Sequence, residues 1–262
     1  MGERVIRVER DGDVGQIILS NPPLNLFTDD AFHQLGDAIA ELEESDVRAA
    51  VWRAEGDIFT GGVDVNAFQR IVDGGPELAS NFSQPLIDTV RRLEALPMPT
   101  LAICHGLCLT AGLEVALGCD MLWAGESARF GLVEAVVGLT PGAGGTQRMA
   151  ERAGPARARE FVMSGGLYDA ATLERWNVVN RVLPDDELQE KAMRFAHRLA
   201  AGPTVAHGET KRIVRAYCRG GVDAADEVTP EVFSGLFASE DLQAAVATFI
   251  EKGPGNATFE GR

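Results

Sequence analysis

The segment from Ala95 to Cys119 contains a single charged residue, Glu114. A segment this poor in charge has to be buried, because removing apolar surface from water is the main favourable term in folding. Two prolines and a His-Gly pair interrupt it, which excludes a membrane-spanning helix. Its pattern predicts a strand over Thr100–Leu109, followed by a short helix from about Ala111 to Leu117.

Strand and helix patterns alternate along the rest of the core. Two alternating apolar runs, Val5–Val8 and Val14–Leu19, flank an Asp-Gly pair and predict a hairpin. Thr28 is the expected N-cap of an amphipathic helix. Further expected elements are strands at Ala49–Arg53, Asp120–Ala124 and Val178–Val182, and helices at Gln84–Leu96, Gly145–Ala153, Pro155–Ser164 and Asp169–Trp176.

After Pro184 the pattern is helical almost throughout. Breaks are expected near Gly202-Pro203, Gly220-Gly221 and Pro230. The alternation followed by helices predicts an α/β fold, with a core over residues 1–195 and a helical region over residues 196–262.

Charge and cysteine content exclude several classes of partner. The chain has 24 basic and 39 acidic residues and a net charge of -15, so nucleic acid is not an expected partner. The charged N-terminal segment does not resemble a secretory signal. The cysteines lack the spacing of a disulfide framework, and only His105 lies near Cys104 and Cys108, so we expect buried thiols and no metal site. A cytoplasmic protein with no membrane partner is predicted, although backbone amides could still bind a small anion.

Glu114 and Glu134 both stand among apolar neighbours. Glu134 is the only charged residue between Arg129 and Arg148. Burial raises the pKa of a carboxyl group, and acid–base catalysis uses pairs of carboxylates in different environments. Either glutamate could instead point to solvent or cap a helix, and the pattern alone leaves both interpretations open.

Two glycine-containing segments could present backbone amides to a ligand. These are Gly61-Gly62-Val63-Asp64 and Thr110-Ala111-Gly112, where the second lies at a predicted strand-to-helix transition. Amides at a helix N-terminus suit a developing oxyanion, although ordinary turns explain either segment taken singly. The glycine-rich segment 141–146 lacks the lysine of a P-loop. His105 has no GxSxG elbow to accompany it, so we predict a structural role.

Together these segments resemble a known family. IFTGGVDV is similar to its F-x-x-G-x-D segment, and the run from Ala102 to Arg148 resembles the centre of the crotonase (enoyl-CoA hydratase/isomerase) superfamily nearly throughout. LSNPPLN, EFVMSGGLYDAATLERWNVVNRVLP and FASEDLQAAVATFIEKGPGNATFEGR extend the resemblance over essentially the whole chain. It implies a spiral core of ββα units and a C-terminal helical oligomerisation region that builds trimers, often paired into hexamers.

The resemblance also implies a substrate and a site. The substrate would be an acyl-CoA thioester, with its carbonyl oxygen held by the backbone amides of Val63 and Ala111. The catalytic glutamates of the hydratases fall on Glu114, which would activate water, and Glu134, which would protonate the α-carbon. The expected substrate-binding residues are Val63, Asp64, Val65, Asn66 and Ala111. Coenzyme A is part of the substrate, so no separate cofactor is expected.

The sequence departs from the family pattern at two places. Thr110-Ala111-Gly112 stands where three glycines are usual, and His105 replaces a more usual Asn. These differences concern the size of the acyl pocket. Enoyl-CoA hydratase activity is the first hypothesis, followed by isomerisation or another acyl-CoA reaction through the same enolate, and then by a non-catalytic acyl-CoA-binding protein.

Large apolar residues are frequent in the helical region, too frequent for a solvated tail. We expect the core or a neighbouring subunit to cover them. They are Val214, Phe233, Leu236, Phe237, Leu242, Val246 and Phe249. By family position, Phe249 and Lys252 would lie near the coenzyme A of an adjacent subunit.

Overall fold

Residues 4–262 are described by a computed structural model, and the first three residues of the N-terminal segment considered above lie outside the described residues. The strands are β1 (Ile6–Asp11), β2 (Val14–Leu19), β3 (Ala49–Ala54), β4 (Thr100–Cys104), β5 (Leu107–Leu109), β6 (Met121–Gly125), β7 (Arg129–Gly131), β8 (Tyr168–Asp169) and β9 (Arg181–Leu183). The helices are α1 (Asp29–Glu43), α2 (Val65–Ala95), α3 (Thr110–Leu117), α4 (Gly145–Ala153), α5 (Pro155–Ser164), α6 (Ala170–Arg175), α7 (Asp185–Ala200), α8 (Thr204–Leu236) and α9 (Glu240–Lys252). A short 3-10 helix covers Glu134–Val137.

Two sheets organise the chain. The larger has the order β1-β2-β3-β4-β6-β9, in which β1 and β2 form the predicted antiparallel hairpin and the remaining neighbours are parallel. The smaller has the order β5-β7-β8. The mixed α/β architecture expected from the sequence is confirmed.

Alternation along the central strands divides the core into two layers. In β3, Ala50 and Trp52 face the larger apolar cluster with α1 and α3, whereas Ala49 and Val51 face a second cluster that α7 covers. Successive residues of a strand point to opposite faces, which explains why these strands are apolar throughout. Thr28 caps α1 as predicted, since its side chain accepts a hydrogen bond from the Ala31 N–H.

The single strand predicted over Thr100–Leu109 is two strands in two sheets. The chain turns at His105-Gly106, where Gly106 has a φ of 53° and lies against the backbone of Asp57. A side chain at this position would clash with the Asp57 carbonyl oxygen, so a contact from a distant loop fixes the break. This turn places β5 and α3 above the edge of the large sheet.

Three other boundaries differ from the prediction. The helix expected at Gln84–Leu96 is only the last part of α2, which bends at Gly75, and the strand expected at Val178–Val182 begins later. Pro230 lies inside α8 without breaking it, whereas the breaks at Gly202-Pro203 and Gly220-Gly221 are observed. The boundary after residue 195 falls inside α7, and the division into two domains stays a prediction.

The C-terminal region is helical, as predicted, but its large apolar side chains are not covered by this chain. Among them, Phe233, Phe237 and Phe249 are each more than half exposed. The core of the same chain therefore does not bury them. No helix within residues 4–262 is long and apolar enough to cross a membrane.

Candidate active site

A parallel bridge aligns the two glycine-containing segments. The Thr60 N–H donates to the Leu107 oxygen at 2.9 Å, and the Leu109 N–H donates to the Thr60 oxygen at 3.1 Å, which pairs Thr60 with Cys108. In this register Gly62 is opposite Thr110, and Val63 and Ala111 are the residues that follow each of them. The contact between Gly62 and the Thr110 side chain shows that the segments stay adjacent.

The amides of Val63 and Ala111 are both left without a partner. On its other side Val63 forms a bridge with Phe27, in which the Phe27 N–H donates to the Gly62 oxygen and the Asp64 N–H donates to the Phe27 oxygen. The N–H of Val63 itself therefore points away from that bridge. Ala111 is the second residue of α3, where a helical N–H has no acceptor one turn earlier. Within residues 4–262, neither N–H donates a hydrogen bond to the protein. The two amides could therefore bind one oxygen atom of a ligand.

Backbone conformation at Gly62 and Thr110 maintains this arrangement. Gly62 has a φ of 101°, and a Cβ there would overlap Thr110 Oγ1. Thr110 itself has a φ of 43°, a left-handed conformation that is rare for a β-branched residue. Its Oγ1 is buried without a hydrogen-bond partner. Such strain persists only where the surroundings determine the backbone, as is common at functional sites.

Glu114 lies one turn into α3 and is 3% exposed. Its Oε2 accepts hydrogen bonds from the N–H groups of Ala143, at 2.9 Å, and Gly145, at 2.6 Å. The pKa of Glu114 is raised to about 7, because burial and, to a smaller extent, the charge of Glu134 outweigh the two amides and Arg148, which lower it. The side chain can therefore hold or release a proton near neutral pH.

Glu134 begins the short 3-10 helix and is 7% exposed. Its Oε2 is buried and has no hydrogen-bond partner. Burial raises the pKa of Glu134, and its charge acts on Glu114, so the structure brings the two predicted carboxylates near each other. Neither one points to solvent, but Glu114 accepts from the Gly145 N–H at the start of α4, so the alternative of a helix cap holds for Glu114 beside the functional one.

The predicted substrate-binding stretch forms the entry to α2. Asp64 caps this helix by accepting a hydrogen bond from the Asn66 N–H at 2.9 Å. Val65 is 74% exposed, and Asn66 is exposed as well. Both residues are thus open to a ligand next to the Val63 amide, and their role in binding stays a prediction.

The other residues singled out in the sequence lie outside this arrangement. His105 contacts the Gly56 oxygen through Nε2 at 2.9 Å and packs edge-on against Phe59, and burial lowers its pKa. Cys104 and Cys108 are buried free thiols, whereas Cys218 is exposed. Among the described residues, no group of three His, Cys, Asp or Glu side chains is placed to hold a metal ion.

Sequence reasoning missed Arg148. This residue is 6% exposed and forms a bidentate salt bridge with Glu94, in which both nitrogen–oxygen distances are 2.7 Å. It lies under the glycine-rich turn that bonds Glu114. Its position three residues after Gly145 was the one sequence feature that could have indicated a role for Arg148. Nothing in the pattern indicated Glu94 as its partner.

A known protein family matches nearly the whole chain. The sequence profile described as enoyl-CoA hydratase/isomerase matches residues 9–262. The chain belongs to the enoyl-CoA hydratase/isomerase family. The resemblance to the crotonase superfamily inferred from the sequence is thereby confirmed.

Individual members of the family are similar over nearly their whole length. A short-chain-enoyl-CoA hydratase of Clostridium acetobutylicum is 30% identical, with 94% of each chain covered. A 2,3-dehydroadipyl-CoA hydratase of Escherichia coli is 30% identical, with 85% of each covered. The crystal structure of an enoyl-CoA hydratase from Bacillus anthracis is 25% identical and has a TM-score of 0.90, with 98% of this chain and 100% of that chain covered. The expected crotonase fold with C-terminal helices is confirmed.

Proposed function

We propose that this protein is an enoyl-CoA hydratase that adds water reversibly, with syn stereochemistry, to a 2-enoyl-CoA thioester. One observation carries the proposal. Two desolvated carboxylates, Glu114 and Glu134, act on each other electrostatically, and Glu114 lies one turn after Ala111 in α3. The N–H groups of Ala111 and Val63 have no acceptor within residues 4–262. Amides of this kind stabilise charge that develops on a carbonyl oxygen, and paired carboxylates move protons.

In the proposed mechanism, ionised Glu114 accepts a proton from water while the water oxygen bonds to the β-carbon. The electrons of the carbon–carbon double bond move toward the thioester, and the amides of Val63 and Ala111 bind the enolate oxygen. Protonated Glu134 then donates its proton to the α-carbon, and the thioester carbonyl re-forms. The pKa of Glu114, raised to about 7, supports proton transfer near neutral pH, and burial raises the pKa of Glu134 as well. No separate cofactor takes part.

Isomerisation is the alternative that uses the same oxyanion site. A 3-enoyl thioester needs one group to move a proton between two carbons, and Glu134, with its unpaired Oε2, could do so alone. A non-catalytic binding protein is less well supported, because burying two carboxylates costs stability unless they are used.

Assembly into a trimer, or a hexamer of paired trimers, is part of the proposal. Exposed aromatic side chains of α8 and α9, including Phe233, Phe237 and Phe249, would be buried against neighbouring subunits. Light scattering at micromolar concentration tests this point. A stable monomer after intact purification would contradict it.

Activity is tested by mixing the protein with crotonyl-CoA and following the absorbance of the enoyl thioester. Hydration removes this absorbance, whereas a 3-enoyl-CoA converted to the 2-enoyl thioester would increase it. A double variant, Glu114→Gln with Glu134→Gln, is the inactive reference. A series of 2-enoyl-CoAs of graded length then measures the acyl preference. Binding without turnover of any of these thioesters would favour the non-catalytic alternative.

A further inference from the structure

The glycine-rich turn before α4 holds Glu114 through backbone amides alone. The N–H groups of Ala143 and Gly145 both donate to Glu114 Oε2. A peptide group is planar, so the direction of an N–H is fixed by the carbonyl of the preceding residue. Whatever holds the carbonyls of this turn therefore also directs the amides that bind Glu114.

Arg148 holds one of the two peptides that bind Glu114, the one between Gly144 and Gly145. The Gly142 carbonyl, whose peptide carries the Ala143 N–H, accepts instead from Ser83 Oγ. Arg148 Nη1 donates to the Gly144 oxygen at 3.1 Å and to the Ala143 oxygen at 3.4 Å. A Cβ at Gly144, which has a φ of 100°, would overlap the same nitrogen, so the turn is wrapped closely around the guanidinium. The Gly144 carbonyl belongs to the peptide whose N–H, from Gly145, makes the shorter bond to Glu114.

Glu94 in turn fixes Arg148. Its two carboxylate oxygens accept from Nε and Nη2 of Arg148, each at 2.7 Å, and this fork leaves Nη1 directed at the turn. The main-chain oxygen of Glu94 accepts a hydrogen bond from Arg215 on α8. A continuous set of hydrogen bonds therefore runs from the helical region, through the end of α2, to the group that binds Glu114.

We propose that Arg148, held by Glu94, is the positioning residue for Glu114, acting through the carbonyl of Gly144. This inference rests on the proposed hydratase function for its effect on turnover, but its effect on Glu114 can be measured in the absence of substrate. Arg148 does not touch the reacting atoms. It directs the Gly145 amide and places a positive charge behind it.

The charged groups around Glu114 fix the direction of the expected change. Glu134, from the 3-10 helix, disfavours the ionised form of Glu114, and Arg148 favours it. Glu94 is paired with Arg148, and Arg152 lies at the other end of α3, where it donates to the Leu117 and Cys119 oxygens. Loss of Arg148 removes both its charge and the alignment of the Gly145 amide, and both losses raise the pKa of Glu114.

The test uses Arg148→Met, Arg148→Lys and Glu94→Gln. Infrared difference spectra over a pH series record the protonation of Glu114, with the band assigned by its loss in Glu114→Gln. In Arg148→Met, half-protonation should move up by about one pH unit. The kcat for crotonyl-CoA near neutral pH should fall about 10- to 100-fold, while KM changes little because the thioester contacts remain.

Arg148→Lys separates charge from geometry. Lysine keeps the positive charge but cannot form the fork with Glu94 and also reach the turn. The pH of half-protonation should therefore rise by less than in Arg148→Met, while kcat still falls. Glu94→Gln retains one acceptor for the guanidinium, so the fall in kcat should be in the same direction and smaller.

Arg152→Met is the matched control, because it removes another buried guanidinium from α4 that does not contact the turn. It should lower the melting temperature and leave the titration of Glu114 unchanged. If Arg148→Met behaved in the same way, Arg148 would have only a structural role and the inference would be wrong. A wild-type protein inactive on every enoyl-CoA would overturn the proposed function, while the infrared titration would still decide the role of Arg148.

Discussion

The amide side of the site, formed by Val63 and Ala111, and the carboxylate side, formed by Glu114 and Glu134, are held in place differently. Backbone register and two unusual backbone conformations position the amides, and no titratable side chain takes part. The carboxylates are held by hydrogen bonds and charges inside an apolar environment. The amide side should therefore respond to changes of shape, and the carboxylate side to changes of charge and pH.

The two carboxylates also differ from each other. Glu114 has two amide partners, which favour its ionised form, whereas one oxygen of Glu134 has no partner among the described residues. Burial raises the pKa of both groups, and it is opposed by the two amides at Glu114 and by a backbone hydrogen bond at Glu134. The roles of Glu114 as base and Glu134 as proton donor in the proposed mechanism follow the family resemblance.

The largest expected effect comes from breaking the carboxylate side. Glu114→Gln and Glu134→Gln should each lower kcat for crotonyl-CoA by at least about 100-fold, because each removes a general acid or base. The kcat of the double variant should be only a little lower than that of the less active single variant, because the two groups act on the same water and proton. Steady-state kinetics with the exposed Glu126→Gln as control checks this. Fully multiplicative losses, or turnover at the wild-type rate in either variant, would contradict the shared role.

Breaking the amide side should have the next largest effect. In Gly62→Ala, the new Cβ would overlap Thr110 Oγ1 and displace the Val63 amide from the Ala111 amide. We expect kcat to fall by about 100-fold, the lower range for loss of one oxyanion donor. Removing the obstructing side chain in a Gly62→Ala, Thr110→Gly double variant should restore part of the activity.

Gly12→Ala is the control for this prediction. Gly12 also has a positive φ, of 60°, but nothing lies within 4 Å of the position where its Cβ would be. Its substitution should cost about 1 kcal/mol of stability through backbone strain and leave kcat unchanged. Equal losses of kcat in the two variants would mean that strain, and not the position of the Val63 amide, limits turnover.

The same contrast explains what the sequence could predict. Local patterns mark Glu114 and Glu134 as single charges in apolar segments, and they mark the glycine-containing segments 61–64 and 110–112 as possible sources of amides. The choice of Val63 and Ala111 within those segments comes from the family resemblance. The hairpin at Gly12 and the cap at Thr28 are also local, and the structure contains both.

Features that depend on contacts distant in sequence could not be predicted. The break between β4 and β5 depends on the backbone of Asp57 meeting Gly106, and Arg148 is paired with a carboxylate 54 residues earlier in the chain. Pro230 remains inside α8, although a local rule predicts a break there. No residue near any of these positions in the sequence carries the deciding information.

The smallest effect concerns stability, and it sharpens the difference between the two carboxylates. Because burial raises the pKa of Glu114 from 4.5 to about 7, the folded protein holds this proton at pH values where the unfolded chain has released it. The stability contributed by this proton is complete below about pH 4.5 and is lost as the pH rises through about 7. The glutamine side chain in Glu114→Gln does not titrate. The free energy of unfolding of this variant should therefore rise relative to that of the wild type by about 2 kcal/mol between about pH 5 and about pH 8. Glu134→Gln should show a gain of the same sign but smaller, since the same cause raises the pKa of Glu134 less. Denaturant unfolding at several pH values measures both differences. If the difference in free energy of unfolding between Glu114→Gln and the wild type stayed constant or narrowed with rising pH, Glu114 would already be ionised in the folded protein at low pH. Its role as a base would then need no proton shared with Glu134.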